Sequence, residues 1–136
     1  MTIFHSIIKG EIPCAKVYED ERIFCFMDAF PQTRGHALIV AKNGGENLLS
    51  TSPEDLAEII KFSQKLAKAQ QEVLGCEGIK VCQFNGKAAG QTVFFYHMHL
   101  IPCYENKAEK AHASKAADKE ELQEIAQKLA EYLKND

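Results

Sequence analysis

The sequence predicts an α+β fold, with five strands arranged mostly as hairpins and two helices. Three observations lead to this class. Short apolar segments rich in strand-forming residues recur between turn signals, and a long stretch after Ser52 repeats apolar residues at helical spacing. A second amphipathic stretch lies near the C-terminal end. No internal repeat is visible, so we expect a single domain over residues 1–136.

The strands are expected at five segments: residues 15–20, 23–28, 36–41, 79–84 and 93–101. The polar turn Glu19-Asp20-Glu21 joins the first two segments, and a loop at residues 30–35 precedes the third.

The long helix is predicted to begin at Ser52, which can cap it, with Pro53 at the first helical position and Asp55 completing a capping box. Gly75 is placed to end it. Its largely apolar stripe consists of Leu56, Ile59, Ile60, Ser63, Leu66, Ala67, Gln70, Val73 and Leu74. A C-terminal helix is predicted at about residues 118–134. The Lys-, Ala- and Glu-rich residues 105–117 are predicted to be a mobile linker after a core at about residues 2–104.

Composition argues against several classes of protein. A hydrophobic content of 46% and a charged content of 26% are ordinary for a soluble domain. The net charge of −3 gives no electrostatic reason to expect binding to nucleic acid or to a membrane. No signal peptide is recognisable. The five cysteines are scattered without a Cys-x-x-Cys pair, which favours reduced thiols, so we expect a cytoplasmic protein.

Residues 90–102, with the sequence GQTVFFYHMHLIP, carry the strongest functional signal. Alternation along a strand would put Phe95, His97, His99 and Ile101 on one face. Two neighbouring imidazoles after a Gly-Gln loop with free backbone N–H groups could attack and hold a phosphate. The His-x-His spacing alone would instead favour a metal-binding or merely buried pair.

This segment resembles the signature of the histidine triad (HIT) superfamily, with Phe95 where the first histidine of the triad usually lies. Further segments similar to the family follow its order: residues 3–13, 16–20, 26–28 and 35–40. The resemblance runs from about residue 2 to residue 104 and is to the Hint-like, bacterial-type branch. It implies the HIT fold, an antiparallel five-stranded sheet with one long central helix and a C-terminal helix, and a homodimer in which two such sheets join.

The resemblance also implies catalytic roles for four residues. His97 matches the histidine that attacks the α-phosphate and becomes a nucleotidyl-histidine, with its other ring nitrogen bonded to the backbone carbonyl of residue 95. His99 matches the last triad histidine, which contacts the phosphate or the leaving group. His36 matches a histidine that supports the triad, although alone it would be read as a buried structural residue. Gln91 matches a position that hydrogen-bonds phosphate or leaving-group atoms.

Substrate-binding residues follow from the same resemblance. Asp28 matches the acid that binds the ribose hydroxyls, although a turn-forming aspartate is the alternative. Thr92 matches a phosphate or leaving-group contact. Asn85 lies one place after Phe84, which occupies the family position that often contacts phosphate or sugar. Four residues match apolar positions of the base pocket, and any of them could simply be core: Ile3, Phe4, Ile7 and Phe26.

The sequence departs from relatives that carry a structural zinc site. The four corresponding positions are Thr2, His5, Gly44 and Phe95, and only His5 could still bind a metal. One ligand cannot form the tetrahedral site that zinc requires. We therefore expect no metal and no other cofactor. Phe95 is then explained without a loss of catalysis, whereas the rival interpretation is a degraded active site.

Three functions remain open. The leading hypothesis is an enzyme that hydrolyses purine nucleoside phosphoramidates, which are conjugates of AMP with an amine, through His97. The second is a dinucleoside polyphosphate hydrolase or nucleotidyltransferase. The third is a module that binds purine nucleotides without turnover.

Overall fold

The computed structural model describes residues 1–105 and 116–135. Its elements in chain order are α1 (Ile3–Ile8), β1 (Lys16–Glu19), β2 (Ile23–Met27), β3 (Ala37–Ala41), α2 (Pro53–Leu74), β4 (Gly78–Cys82), β5 (Met98–Cys103) and α3 (Lys119–Lys134), with a 3₁₀ turn at Lys87–Ala89. Most of the predicted linker, residues 106–115, lies outside the described residues.

The five strands form one antiparallel sheet in the order β1-β2-β3-β5-β4, which confirms the predicted α+β fold and sheet. The β3–β5 pairing decides the position of the site. Leu38 lies opposite His99, and Ala37 lies opposite Leu100. The start of β3, just after His36, and the start of β5, just after His97, are therefore adjacent in the centre of the sheet.

Each face of the sheet has its own apolar core. On one face, β-strand residues pack against α2 and α3, with Ile59 and Leu66 fully buried. On the other face, Phe4 and Ile7 of α1 pack with Phe95 and with residues of β2 and β3. The expected alternation holds around the histidines, because Tyr96 and Met98 belong to the helix side and Phe95 to the α1 side.

Strand boundaries differ from the prediction by one residue in most places, and three differences are larger or involve a new element. The short helix α1 was not predicted; Thr2 caps it, in a capping box with His5. The strand predicted over residues 93–101 begins only at Met98, because Tyr96 N–H donates to Gly45 O (2.8 Å) rather than to a neighbouring strand. The strand predicted over residues 79–84 ends at Cys82.

The helices begin and end where capping predicts. Ser52 Oγ accepts from Asp55 N–H (3.1 Å), and the left-handed Gly75 (φ 68°) ends α2. The Asp55 carboxylate does not complete a capping box but pairs with Arg22 Nη2 of the β1–β2 turn (2.9 Å). Asp118 caps α3. Within the described ranges, neither long helix is apolar over enough of its length to cross a bilayer.

Candidate active site

A cavity of about 650 Å³ opens between α1, the end of β2, the segment before β5 and the first turns of α3. Its wall is largely apolar, with Phe4, Phe26 and Leu122 among the side chains that form it. Asp28, His97 and His99 are among its polar residues. A cavity of this size, apolar with a few convergent polar groups, is typical of sites for small organic ligands.

His97 is held by its own backbone neighbourhood. Its Nδ1 lies 2.7 Å from Phe95 O, which accepts the ring N–H and so fixes the neutral tautomer with an unprotonated Nε2. Nε2 makes no hydrogen bond to the described residues, and the ring lines the cavity. Phe4 packs edge-on against the imidazole with ring centres 4.8 Å apart. The structure thus presents one lone pair on a ring whose orientation is fixed from two sides.

A second pair of hydrogen bonds fixes His36 and His99. The backbone N–H of Gln32 donates to His36 Nδ1 (3.1 Å), so neutral His36 carries its proton on Nε2. That Nε2 lies 2.9 Å from His99 Nδ1, which accepts. Neutral His99 therefore carries its own proton on Nε2, and this N–H can donate to a ligand in the cavity.

The Asp28 carboxylate lies close to the same imidazole nitrogen. Its Oδ2 lies 3.5 Å from His36 Nε2, and its Oδ1 accepts from Phe30 N–H (2.8 Å). We call Asp28, His36 and His99 the Asp28 cluster. It contains a carboxylate with one backbone donor, beside the hydrogen bond between His36 and His99.

Burial sets the protonation states of this region. Burial lowers the pKa of His97 below its ordinary value, partly offset by the bond to Phe95 O. Burial, with smaller effects of His97 and His36, lowers the pKa of His99 to about 3. Burial raises the pKa of Asp28 to about 6, although the N–H of Phe30 acts against it. Near neutral pH both histidines are therefore neutral, and His97 is available as a nucleophile.

Eight of the eleven predicted site residues line this cavity: Ile3, Phe4, Ile7, Phe26, Asp28, Thr92, His97 and His99. His36 lies behind the wall, 1% exposed, and contacts two residues of the wall, His99 and Asp28. Gln91 and Asn85 are also outside the wall.

The hydrogen bonds of Gln91 and Asn85 differ from the predicted contacts with substrate. Gln91 Oε1 accepts from Gly86 N–H (2.7 Å), while its Nε2 donates to Glu46 O (2.6 Å) and Val93 O (3.1 Å). All of this amide is committed to backbone groups, which fits a positioning role better than contact with phosphate. Asn85 Oδ1 accepts from Leu48 N–H and from a side chain of the same loop (both 2.8 Å).

Sequence reasoning missed the contribution of α3 to the wall. Lys119, Leu122 and Gln123 line the cavity, and Gln123 Nε2 donates to Cys14 O (3.2 Å). The amphipathic pattern of residues 118–134 predicted the helix but could not show which part of its surface faces a ligand. Phe30, 49% exposed at the rim, was likewise not singled out.

The four positions associated with zinc in relatives do meet in space. His5 Nδ1 lies 3.0 Å from Thr2 N and 2.9 Å from Thr2 Oγ1, and the His5 ring packs on Phe95 at 4.5 Å between centres. A Cβ at Gly44 would lie 3.7 Å from the Phe95 ring. We call these four residues the Phe95 cluster. The cluster contains a single imidazole, that of His5, and its Nδ1 is engaged in capping α1. The residues present therefore do not fit a zinc ion.

The Asp28 cluster is the other group that could be considered for a metal, since one ligand atom from each residue lies within 4.8 Å of the others. His36 argues against this use. Its Nδ1 accepts from Gln32 N–H, so its Nε2 carries a proton and has no lone pair for a metal.

Comparison with known proteins agrees with the geometry. Protein hit from Bacillus subtilis (strain 168) is 38% identical, covering 96% of this chain and 93% of its own. A relative from Arabidopsis thaliana, named adenylylsulfatase HINT3, is 36% identical over 74% of this chain and 51% of its own length.

Solved structures show the same likeness. A Hit-like protein from Bartonella henselae has a TM-score of 0.88 and 40% identity, covering 96% of this chain and 95% of that one. A zinc-bound histidine triad family protein from Mycobacterium smegmatis has a TM-score of 0.86 and 31% identity, covering 98% and 93%. The sequence profile of the HIT domain matches residues 9–106. The chain therefore belongs to the HIT family.

Proposed function

We propose that this HIT protein is a nucleotide hydrolase that cleaves purine nucleoside phosphoramidates through a nucleotidyl-histidine on His97. The observation that carries the proposal is the bond from His97 Nδ1 to Phe95 O, which leaves Nε2 unprotonated at the cavity beside His99. Because a backbone carbonyl supplies this bond, the phenylalanine at position 95 is compatible with catalysis.

The reaction has two steps. His97 Nε2 attacks the α-phosphorus, the new N–P bond forms as the bond to the amine breaks, and the amine leaves with a proton from solvent, passed through a network that includes Thr92, while neutral His99 keeps its Nε2 proton. Water then hydrolyses the nucleotidyl-histidine, which releases AMP and restores the neutral ring. His99 Nε2–H is placed to stabilise the negative charge that develops on the phosphoryl oxygens.

The cavity supports a nucleoside as the recognised group. Its apolar wall, with Phe4, Ile7 and Phe26, suits a flat heterocycle, and a volume of about 650 Å³ holds a nucleoside. Asp28 lies in the same wall and can accept hydrogen bonds from two ribose hydroxyls. His36 and Gln91 act through other residues, His36 by orienting His99 and Gln91 by tying the loop that carries Thr92.

The test is hydrolysis of adenosine 5′-phosphoramidate by the protein and by His97→Ala. We expect kcat to fall by about 10⁴-fold or more in the variant, because the nucleophile is lost. AMP binding, measured by calorimetry, should persist. Acid-quenched wild type should carry a nucleotidyl group on the peptide that contains His97. Equal turnover by both proteins would refute the proposal.

A second candidate substrate is adenylyl sulfate, because one relative is named an adenylylsulfatase. Adenylyl sulfate and dinucleoside polyphosphates, assayed in parallel, rank the leaving groups that the same His97 chemistry could serve. AMP binding without turnover of any of these compounds would instead support the non-catalytic module.

We further propose that the protein is a cytoplasmic homodimer. The edge strand β4 has no partner on its outer side in the described sheet, and Val81 there is 50% exposed. None of the five cysteines forms a disulfide, as expected in a reducing compartment. Light scattering with size-exclusion chromatography tests the dimer, and a monomer at micromolar concentration would contradict it.

A further inference from the structure

Gln70 is one of two polar members, with Ser63, of an otherwise apolar stripe on α2. It is fully buried, in a helix surface where Ile59, Phe62 and Leu66 make the contact with the sheet. Its Oε1 is buried without a hydrogen-bond partner among the described residues. An amide kept at this position with half of its hydrogen-bonding capacity unused requires an explanation, because burying an unpaired polar atom is unfavourable.

The other half of the amide contacts β5 and the turn that precedes β3. Gln70 Nε2 donates to Gly35 O (3.1 Å) and to Leu100 O (3.2 Å). Gly35 immediately precedes His36, and Leu100 immediately follows His99. One side chain of α2 therefore binds the backbone next to both members of the 2.9 Å pair between His36 Nε2 and His99 Nδ1.

The sheet alone would leave the Gly35 carbonyl without a hydrogen-bond donor. Continuing the register from Ala37 opposite Leu100 brings Gly35 opposite Pro102, which has no N–H to donate to the Gly35 carbonyl. Gly35 also has a φ of +92°, and a Cβ there would lie 2.2 Å from Leu74 Cδ1, one helical turn after Gln70. The glycine thus lets the chain approach α2 closely. The Gln70 amide can then donate to the Gly35 carbonyl in place of a backbone N–H from the neighbouring strand.

We propose that Gln70 is a positioning residue for the reaction, which holds the backbones of His36 and His99 at the spacing that fixes the proton of His99 on Nε2. This inference rests on the proposed function for its kinetic consequence, whereas its structural consequence is measurable without turnover. Gln70 does not touch the cavity, so it acts on kcat through His99 and leaves nucleotide binding unchanged.

The experiment compares Gln70→Met, which keeps the size and removes both donors, with Leu66→Ala, a control at a fully buried α2 position outside this network. We expect Gln70→Met to lower kcat about tenfold with KM nearly unchanged, because small displacements of catalytic groups reduce rates by such factors. Leu66→Ala, which creates a cavity, should lower the unfolding midpoint but keep the wild-type kcat below that midpoint. Gln70→Glu, whose buried neutral acid retains one donor, should lie between wild type and Gln70→Met.

Nitrogen NMR of the histidine rings provides a readout that stability alone does not move. In the wild type His99 Nδ1 should show the shift of an acceptor nitrogen, and in Gln70→Met a mixture of tautomers. Wild-type kcat and wild-type ring shifts in Gln70→Met would overturn the inference. So would an equal loss of kcat in Leu66→Ala.

Two further results separate the possible failures. If the wild type hydrolyses none of the substrates, the proposed function fails, and the ring shifts of the unliganded proteins still decide the role of Gln70. If Gln70→Met does not fold, the inference is tested on the wild-type protein instead, by NMR during a titration with AMP. Its Gln70 side-chain amide signals should move when AMP fills the cavity, and signals that do not respond would contradict the inference.

Discussion

Phe95 and Asp28 both lie next to the histidines, but their surroundings suit them differently: Phe95 is well packed, whereas the Asp28 carboxylate has few hydrogen-bond donors. Phe95 is 1% exposed, packs on the His5 ring, and gives its carbonyl to His97. Asp28 is partly buried with one backbone donor and lies 3.5 Å from His36 Nε2, and burial raises its pKa to about 6. The Phe95 cluster stabilises the fold, whereas the ionised Asp28 carboxylate destabilises it, because the carboxylate has lost part of its hydration. Substitutions in the two clusters should therefore change stability in opposite directions.

Phe95→Ala should have the largest effect on stability. Removing a fully buried ring leaves a cavity, so we expect the free energy of unfolding to fall by about 3–5 kcal/mol in urea titrations. Phe94→Ala is the matched control, because the neighbouring ring is 40% exposed, and its cost should be about 1 kcal/mol or less. Similar losses in the two variants would show that the Phe95 cluster is not a special source of stability.

Asp28→Asn should act in the opposite direction. An acid whose pKa is raised on folding contributes stability that is complete below its unfolded pKa and is lost as pH rises through about 6. At pH 7 the variant should therefore be more stable by about 1–3 kcal/mol, and the gain should shrink towards pH 5.

Asp20→Asn is the control for that measurement, because folding lowers the pKa of Asp20 but raises the pKa of Asp28. Burial acts to raise the pKa of Asp20, but hydrogen bonds from Ile23 N–H, Arg22 N–H and the Tyr18 hydroxyl lower it overall. Its ionised form contributes stability at neutral pH, which is lost as pH falls, so the variant should be less stable than wild type at pH 7. A stabilised Asp20→Asn would contradict the comparison.

The same titration should appear in catalysis. If Asp28 accepts hydrogen bonds from the ribose, kcat/KM should fall about tenfold per pH unit below a pH of about 6 as the carboxylate takes up a proton. His97 has a lowered pKa and stays neutral in this range. Asp28→Asn should have a higher KM at pH 7 and should lack this acidic limb. An unchanged limb in the variant would assign it to another group.

Chelation should have the smallest effect, because the Phe95 cluster offers no ligand set for zinc. We expect EDTA to shift the melting temperature by less than about 1 °C, since a structural metal would otherwise add its binding free energy to folding. Elemental analysis of protein purified without added metal should find less than stoichiometric zinc. One zinc per chain would refute this prediction.

The sequence predicted well what is encoded locally. Ser52, Pro53 and Gly75 mark the ends of α2 by their own backbone preferences, and alternation assigned Phe95 and Tyr96 to opposite faces. It did less well where the outcome depends on contacts between distant segments. The irregular backbone before Met98 results from a bond between Tyr96 and Gly45, and the capping box was lost because Arg22 takes the Asp55 carboxylate.

The site shows the same division. Eight of the predicted residues share one cavity because the family resemblance carries three-dimensional information that spacing alone does not. The resemblance could not show that the amide of Gln91 is consumed by Gly86, Glu46 and Val93. Nor could a helical stripe show that Gln70 donates to β5 and to the turn before β3, because its spacing is the same as that of its apolar neighbours.

The contribution of α3 to the cavity has a consequence for how such a protein diversifies. Lys119, Leu122 and Gln123 line the ligand space, yet they lie beyond residues 9–106, the part that matches the HIT profile. The cavity-lining histidines and part of the cavity wall thus lie in separate stretches of the chain. Substitutions in the C-terminal helix can change which nucleotides fit while the histidines stay constant. We expect chimaeras that exchange this helix between relatives to transfer substrate preference while the histidines and their reaction stay unchanged.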